Sequence, residues 1–264
     1  MISTALIIST YNWPEALACV LASVVRQRQR PTEVLVADDG SRGDTAALVA
    51  RVAADASMPI HHIWHEDRGF RLAAIRNRAM AAARADYLIQ VDGDTVLHPD
   101  FVGDHARFAV RGSYVQGSRA MLTPARTAQA LAAPAEAIHW WERGVRRWQN
   151  AVRAPWCVPL IPPAPQDGLR RTRGANMAFW RDDVLATNGY DESLEGWGRE
   201  DSEFAQRLLN AGVRRRNLKF AAVMFHLDHP TASQANVAKN HARFEVVRRE
   251  RITRAPTGID RYLG

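Results

Sequence analysis

Tyr87-Leu88-Ile89-Gln90-Val91-Asp92-Gly93-Asp94 decides the fold. A strand-length apolar run that ends in two carboxylates one residue apart reads as a buried strand delivering acidic groups to the crevice beyond its end. Open α/β sheets place their ligand sites at such carboxyl edges. Carboxylate oxygens suit a hard divalent cation, Mg²⁺ or Mn²⁺, and such a cation can hold a diphosphate. Asp-Gly-Asp is also ordinary turn chemistry, so its meaning rests on the rest of the chain.

Upstream, Ala5-Leu6-Ile7-Ile8 reads as a first buried strand, followed by the loop Ser9-Thr10-Tyr11-Asn12-Trp13. Asn12 and Glu15 have capping-box spacing, and Pro14 suits the first turn of a helix in which Leu17, Val20, Leu21 and Val24 recur. Val34-Leu35-Val36-Ala37 is a second buried strand ending in Asp38-Asp39-Gly40-Ser41. A helix carrying Leu48, Val49 and Val52 follows, then a strand around Ile60–Trp64 and an alanine-rich helix over 72–84. This alternation predicts an α/β fold, a mostly parallel twisted sheet flanked by helices. Both acidic clusters then share its carboxyl edge. There Asp38 and Asp39 can accept hydrogen bonds from a nucleobase or ribose, and Arg76 and Asn77 can face diphosphate oxygens. For Arg78 and Arg84 a solvated helix face is the expectation. We read 1–122 as a nucleotide-binding half.

Periodicity is lost over 123–166, an irregular insert in which Pro155, Pro159, Pro162, Pro163 and Pro165 crowd one end. It returns over 167–230 with Asn176-Met177-Ala178-Phe179-Trp180 as a strand and a helix over 200–211 that buries Phe204 and Leu208 and ends at Gly212. Before that helix stands Gly196-Trp197-Gly198-Arg199-Glu200-Asp201. Glycines around a tryptophan allow close backbone packing and present an aromatic face on which a sugar can stack. Glu200 and Asp201 open the helix, where the dipole favours negative charge, and a carboxylate there can take a proton from an attacking hydroxyl. An N-capping acidic pair is the plainer alternative. Further on, His226 behind the apolar stretch 221–224 is a candidate metal ligand from the opposite wall, with His229 the second candidate.

Composition narrows the classes. The chain has 264 residues, 47% apolar and 24% charged, as in ordinary globular proteins, and no apolar run reaches membrane-spanning length. The N-terminus passes straight into a strand without a charged n-region, which argues against a cleaved signal peptide. Two cysteines, Cys19 and Cys157, cannot build a disulfide framework or a cysteine metal site, and a cytoplasmic location fits. A net charge of +7 points to acidic partners. No nucleic-acid-binding signature accompanies it, and a nucleic-acid partner would leave the acidic clusters unexplained.

Taken in order, Ser9-Thr10-Tyr11-Asn12, Asp38-Asp39-Gly40-Ser41, Asp92-Gly93-Asp94, Gly196-Trp197-Gly198-Arg199-Glu200-Asp201 and His226 resemble the motifs of family 2 glycosyltransferases of the GT-A fold. The second half resembles the galactosyltransferase-type C-terminal region of chondroitin-polymerase-like and β-1,4-galactosyltransferase-like enzymes. The resemblance runs from about Ala5 to about Pro230, outside the insert. It implies that Asp39, with Asp38 and Thr10 near it, recognises the base of a nucleotide-sugar donor carried on UDP, with Arg76 alongside. It implies that Asp92 meets ribose or metal, and that Asp94 and His226 complete an Mn²⁺ or Mg²⁺ site. It implies an inverting transfer in which Asp201 is the base and Glu200 orients the acceptor. Gly196, Trp197 and Asn176 are then expected to contact a glycan or lipid-linked glycan acceptor.

One stretch departs from the pattern. Trp140, Trp141, Val145, Trp148 and Val152 fall on one helical face ringed by Arg143, Arg146, Arg147 and Arg153. Such a basic amphipathic helix reads as an interfacial anchor, a cover over the acceptor site, or a helix packed into the core. The 231–264 tail, with Lys239, Arg243, Arg248, Arg249, Arg251 and Arg254, is expected to be helical and could hold the protein on an anionic inner leaflet. Its end resembles those of bacterial enzymes that build lipopolysaccharide core or capsule. Two other readings compete. A non-catalytic nucleotide-sugar-binding module would have lost a carboxylate or the histidine. A nucleotidyltransferase on a similar sheet would carry a glycine-rich phosphate loop near the first strand.

Overall fold

The apolar runs of the first half become parallel neighbours, alternating their side chains between two faces. The computed structural model describes residues 2–168, 172–230 and 233–264. The chain runs through β1 (Thr4–Thr10), α1 (Pro14–Val25), β2 (Glu33–Asp38), α2 (Gly43–Asp55), β3 (Ile60–Trp64), α3 (Leu72–Ala82), β4 (Tyr87–Asp92), β5 (Thr95–Leu97), α4 (Phe101–Phe108), β6 (Ser113–Gly117) and β7 (Ala120–Leu122). It continues through α5 (Pro124–Ala132), β8 (Val145–Arg146), β9 (Asn176–Trp180), α6 (Arg181–Ala186), α7 (Glu200–Asn210), β10 (Arg214–Leu218), β11 (Met224–His226) and α8 (Val237–Glu250). The main sheet has the order β10-β6-β9-β4-β1-β2-β3, and a four-stranded sheet has the order β5-β11-β7-β8. In the main sheet β9 runs antiparallel to both of its neighbours, β4 and β6, and the other pairings are parallel.

Period-2 alternation makes two cores. Leu6, Ile8, Val34, Val36, Ile89 and Val91 face one way, against Leu17, Val20 and Leu21 of α1 and Phe101 of α4. Ala5, Ile7, Leu35, Ala37 and Leu88 face the other, against Ala73, Ile75 and Met80 of α3 and Phe204 and Leu208 of α7. The strands therefore read as continuous apolar runs, being covered on both sides.

Two sequence expectations are corrected. Asn12 does not cap α1: the helix starts after Trp13 with no side-chain cap. Asn12 instead adopts φ 44°, accepts from the Arg42 N–H at 3.1 Å and donates its own N–H to Ser41 Oγ at 2.8 Å, tying the loop after β1 to the loop after β2. Nor do Trp140 to Val152 form an amphipathic helix. Gly144 at φ +94° interrupts the stretch, which holds only β8 and a 3₁₀ turn over Trp148–Asn150. Trp140, Trp141 and Trp148 group on the surface, with ring centroids 5.5 and 5.8 Å apart. The insert does contain one helix: α5, where Thr123 accepts from the Arg126 N–H and Pro124 occupies the first turn.

The basic tail is helical as expected. Asn210 of α7 donates to the carbonyls of Val247 and Ile252, and Arg243 pairs with Asp191 at 3.1 Å, so α8 is docked on the domain. Among the described residues no helix is long and apolar enough to cross a membrane.

His105 on α4 is wholly buried, edge-on to Phe101, and donates Nε2–H to Asn176 Oδ1 at 3.0 Å. Burial pushes its pKa down to about 4, against an ordinary value near 6.5. The folded state therefore resists a proton that the unfolded chain takes up below pH 6.5. Stability contributed by neutral His105 is complete above that value and drains as pH falls toward 4, by about 3 kcal/mol. In urea unfolding, His105→Gln should lose less stability than wild type between pH 7 and pH 4, by about that amount.

Candidate active site

The acidic turn after β4 is pinned from two sides. Gly93 N–H donates to the Ser9 carbonyl at 2.6 Å, and a Cβ at Gly93 would lie 2.8 Å from that oxygen, so the turn admits only glycine this close to the end of β1. Leu227 N–H donates to the Asp94 carbonyl at 2.9 Å and brings the chain after β11 alongside.

That join assembles a cluster. Asp94, His226 and His229 each offer a ligand atom, all within 4.8 Å of one another. His226 Nδ1 lies 2.6 Å from the Leu227 carbonyl and His229 Nδ1 lies 2.7 Å from the Pro230 carbonyl. Each Nδ1 donates there, which turns both Nε2 atoms toward Asp94, at 3.5 and 3.0 Å, where each can carry a proton to the carboxylate or, once deprotonated, offer its lone pair to a cation. Asp94 Oδ1 is buried without a hydrogen-bond partner. An orphaned carboxylate oxygen beside two oriented imidazoles fits a divalent cation, and the nitrogen donors suit Mn²⁺ better than Mg²⁺. Burial would raise the Asp94 pKa, but the hydrogen bond from His229 and the nearby imidazoles hold it below the usual range. Burial lowers the pKa of His226, whereas the hydrogen bond to Asp94 raises that of His229.

Beside it lies a second, buried network. Arg76 reaches from α3 beneath the sheet edge and makes three contacts, to Asp92 Oδ1 at 3.0 Å, Asp201 Oδ1 at 2.9 Å and Ser9 Oγ at 3.1 Å. Burial opposes its charge, but Asp201, Tyr190 and Asp92 together push its pKa above the ordinary arginine value. The Tyr190 hydroxyl stands 2.9 Å from Gln90 Oε1 and 3.1 Å from Asp201 Oδ1. Gly174 N–H donates to Asp201 Oδ2 at 2.7 Å, where a Cβ would meet that carboxylate at 2.4 Å. Glu200 next to it accepts from the Gly198 N–H at 2.9 Å. Burial, then the charge of Asp201, pushes its pKa up to about 7. Gly196 and Gly198, at φ +77° and +107°, shape the turn that leaves Trp197 partly exposed.

Residues 5–153 match the profile of glycosyl transferase family 2. The chain belongs to that family. Residues 161–230 match the profile described as the N-terminal domain of galactosyltransferase. Among curated relatives, chondroitin synthase of Escherichia coli is 24% identical over 241 residues, covering 86% of this chain. The chain spans 35% of that relative's length. Among solved structures, S. aureus TarS 1-349 in complex with UDP superposes with a TM-score of 0.65 at 17% identity, over 99% of this chain and 70% of that one. GalNAc-T7 with UDP, GalNAc and Mn²⁺ gives 0.62 at 16% identity, over 94% and 48%. The chain thus has the GT-A fold, a mixed α/β architecture around a mostly parallel sheet.

Several expected site residues stand differently from their sequence reading. Arg76 does not offer its fork to a diphosphate, because α3 packs its face on the sheet and the guanidinium is spent on two carboxylates. Asp92 stands outside the Asp94–His226–His229 cluster, its Oδ1 taken by Arg76, while His229 joins it. Burial pushes the Asp92 pKa up, against the pull of Arg76. Asp38 is fully buried, accepting from Ser41 N–H at 2.8 Å and bound to His62 at 2.8 Å. Asp39 pairs with His65 at 2.6 Å and accepts from Arg71 N–H at 3.0 Å. Thr10 accepts the Asp39 N–H through its carbonyl at 3.0 Å. The Asn176 amide is engaged inside the protein by His105, the Ser118 carbonyl and the Ala222 carbonyl. Asn77 likewise holds Tyr190 and Glu192 rather than a ligand.

The sequence alone assigned no site role to Gly174 or to the partner histidines His62 and His65. His62 lies on β3 and His65 just beyond it. Arg76→Met would leave Asp92 and Asp201 facing each other without their shared cation. We expect urea unfolding to show a loss of about 3 kcal/mol, the low end for a broken buried pair because both carboxylates are partly exposed.

Proposed function

We propose that this glycosyltransferase moves a sugar from a UDP donor to a glycan or lipid-linked glycan acceptor, with inversion and with a divalent cation at Asp94, His226 and His229. The observation that carries it is that cluster, set between the Asp38–Asp39 strand end and the Glu200–Asp201 helix start. The UDP complexes of TarS and GalNAc-T7 support the choice of nucleotide. A bound cation would supply Lewis-acid neutralisation of the departing diphosphate.

The remaining work falls to side chains. Asp39 lies at the β2 edge to accept from the base once its contact with His65 is exchanged. Asp201 is fixed by Arg76 and Gly174, and Oδ2 keeps a lone pair beyond the Gly174 N–H with which to take the proton of the acceptor hydroxyl. Glu200 accepts a hydrogen bond from the acceptor and so orients it. Trp197 supplies a face for a sugar ring. The receiving oxygen attacks the anomeric carbon from the side opposite the diphosphate, the anomeric carbon–oxygen bond to the diphosphate breaks, and the configuration inverts. Residues 1–122 bind the donor and 167–230 the acceptor. Free thiols at Cys19 and Cys157 accord with a cytoplasmic site of action.

A panel of UDP-sugars incubated with Mn²⁺ or with EDTA tests the assignment. One donor should release UDP with Mn²⁺ and not with EDTA. Asp94→Ala should weaken Mn²⁺ binding by about a hundredfold or more. Failure of wild type to bind UDP in the presence of Mn²⁺ by calorimetry would overturn the donor assignment.

The two carboxylates separate kinetically. Asp201→Asn should lower kcat by about 10²–10⁴-fold at every pH. With a Glu200 pKa of about 7, kcat/KM of wild type should rise through neutrality as that carboxyl ionises, and Glu200→Gln should flatten the rise.

A further inference from the structure

A cavity of about 440 Å³ opens where the ends of β6 and β10 meet the insert and the approach to β9. Arg119, Arg147, Arg173 and Lys219 line it, and no Asp or Glu does among the described residues. Arg215 is there too, already tied to the Asp167 carbonyl and to Asn217. Among the described residues no carboxylate forms an ion pair with Arg119, Arg147, Arg173 or Lys219. Arg119 Nε is buried and has no hydrogen-bond partner. The guanidinium groups are close enough to oppose one another: after burial, the charges of Arg119 and Arg147 are what lower the pKa of Arg173. Like charges gathered round a solvent-filled recess repel, and they concentrate anions there.

The position of the cavity says which anion. It begins one residue beyond Gly174, whose N–H holds the Asp201 carboxylate, and Ala175 and Asn176 line it. On its other side Arg119 acts electrostatically on Asp92 and Asp94. In the sheet order, Asp38 ends β2 with Asp39 just after it, Asp92 ends β4, and the cavity lies past β9 at β6 and β10. Neighbouring strands lie about 4.8 Å apart, so the cavity is about 10–14 Å beyond the end of β4, on the side away from the base-binding edge. For a donor anchored at β2 with its diphosphate near Asp94, the recess lies beyond the diphosphate, on the side away from the base.

We infer that this cavity is an acceptor subsite for an anionic sugar unit, one carrying a carboxylate or a phosphate beside the receiving hydroxyl. The inference rests on the glycosyltransferase reading above and adds the chemical class of the acceptor. Planar guanidinium forks bind both groups bidentately, and Lys219 adds a point charge at the rim.

The test uses the whole protein with Mn²⁺ and UDP, titrated by ligand-observed NMR with methyl β-glucuronide, glucose 6-phosphate and neutral methyl β-glucoside. Arg147→Gln/Arg173→Gln is the comparison, both side chains being exposed at the rim so that the fold is kept. At least one anionic probe should bind about tenfold or more tightly than the glucoside, and the preferred probe distinguishes carboxylate from phosphate. The double variant should lose that preference while its UDP affinity, measured on the same sample, stays unchanged. Equal binding of the three probes, no binding of either anion at millimolar concentration, or a preference that survives in the variant would overturn the inference. A parallel loss of UDP affinity would also overturn it, by giving the cavity to the donor diphosphate. Wild type that binds the anions but not UDP would instead remove the donor assignment beneath it, and the acceptor role with it.

Discussion

The structure turns on one buried cation. Arg76 sits under the carboxyl edge of the sheet with a side chain almost closed to solvent, and it bridges Asp92 at the end of β4 to Asp201 at the start of α7. It is the guanidinium that is deeply buried, and without the two carboxylates its charge would lack a partner, at a cost of several kcal/mol. The guanidinium therefore sets the distance between the strand end that carries the Asp92-Gly93-Asp94 turn and the helix that carries Glu200 and Asp201. Tyr190 and Gly174 complete the arrangement by engaging the same Asp201 carboxylate, so its orientation is over-determined.

Much of the first half was legible because its strands are covered on both faces. Double coverage makes β1, β2 and β4 continuous apolar runs, and the carboxylates that end them stand out by contrast. The start of α7 was legible for a similar reason, since two glycines and two acids around Trp197 can serve little besides a tight turn into a helix. The basic insert misled because Trp140, Trp141, Val145 and Trp148 have helical spacing by coincidence. Gly144 in the left-handed region was the residue that outweighed the pattern. Within the same insert, Thr123-Pro124 carried a true helix-start signal.

The partnerships inside the site were not legible. Arg76 looked like an exposed binder because its helix is rich in alanine and shows no sharp polar face, and nothing local reveals a contact across 125 positions. His229 gains its place from the turn after β11, where two backbone carbonyls orient both imidazoles. β10, reading Arg-Arg-Arg-Asn-Leu, gives no strand signal at all, since its pairing with β6 at the sheet edge rather than its composition makes it a strand.

The antiparallel strand β9 has a consequence for how the molecule can be divided. It arrives late in the chain yet lies between β4 and β6, both from the first half. A fragment ending before residue 176 would leave the facing edges of two apolar strands without their hydrogen-bond partner, a template for aggregation. The first half and the residues from β9 onward are thus not separable as polypeptides. Each strand that β9 joins is separated from it by dozens of residues, so this part of the sheet is built from contacts of long sequence separation.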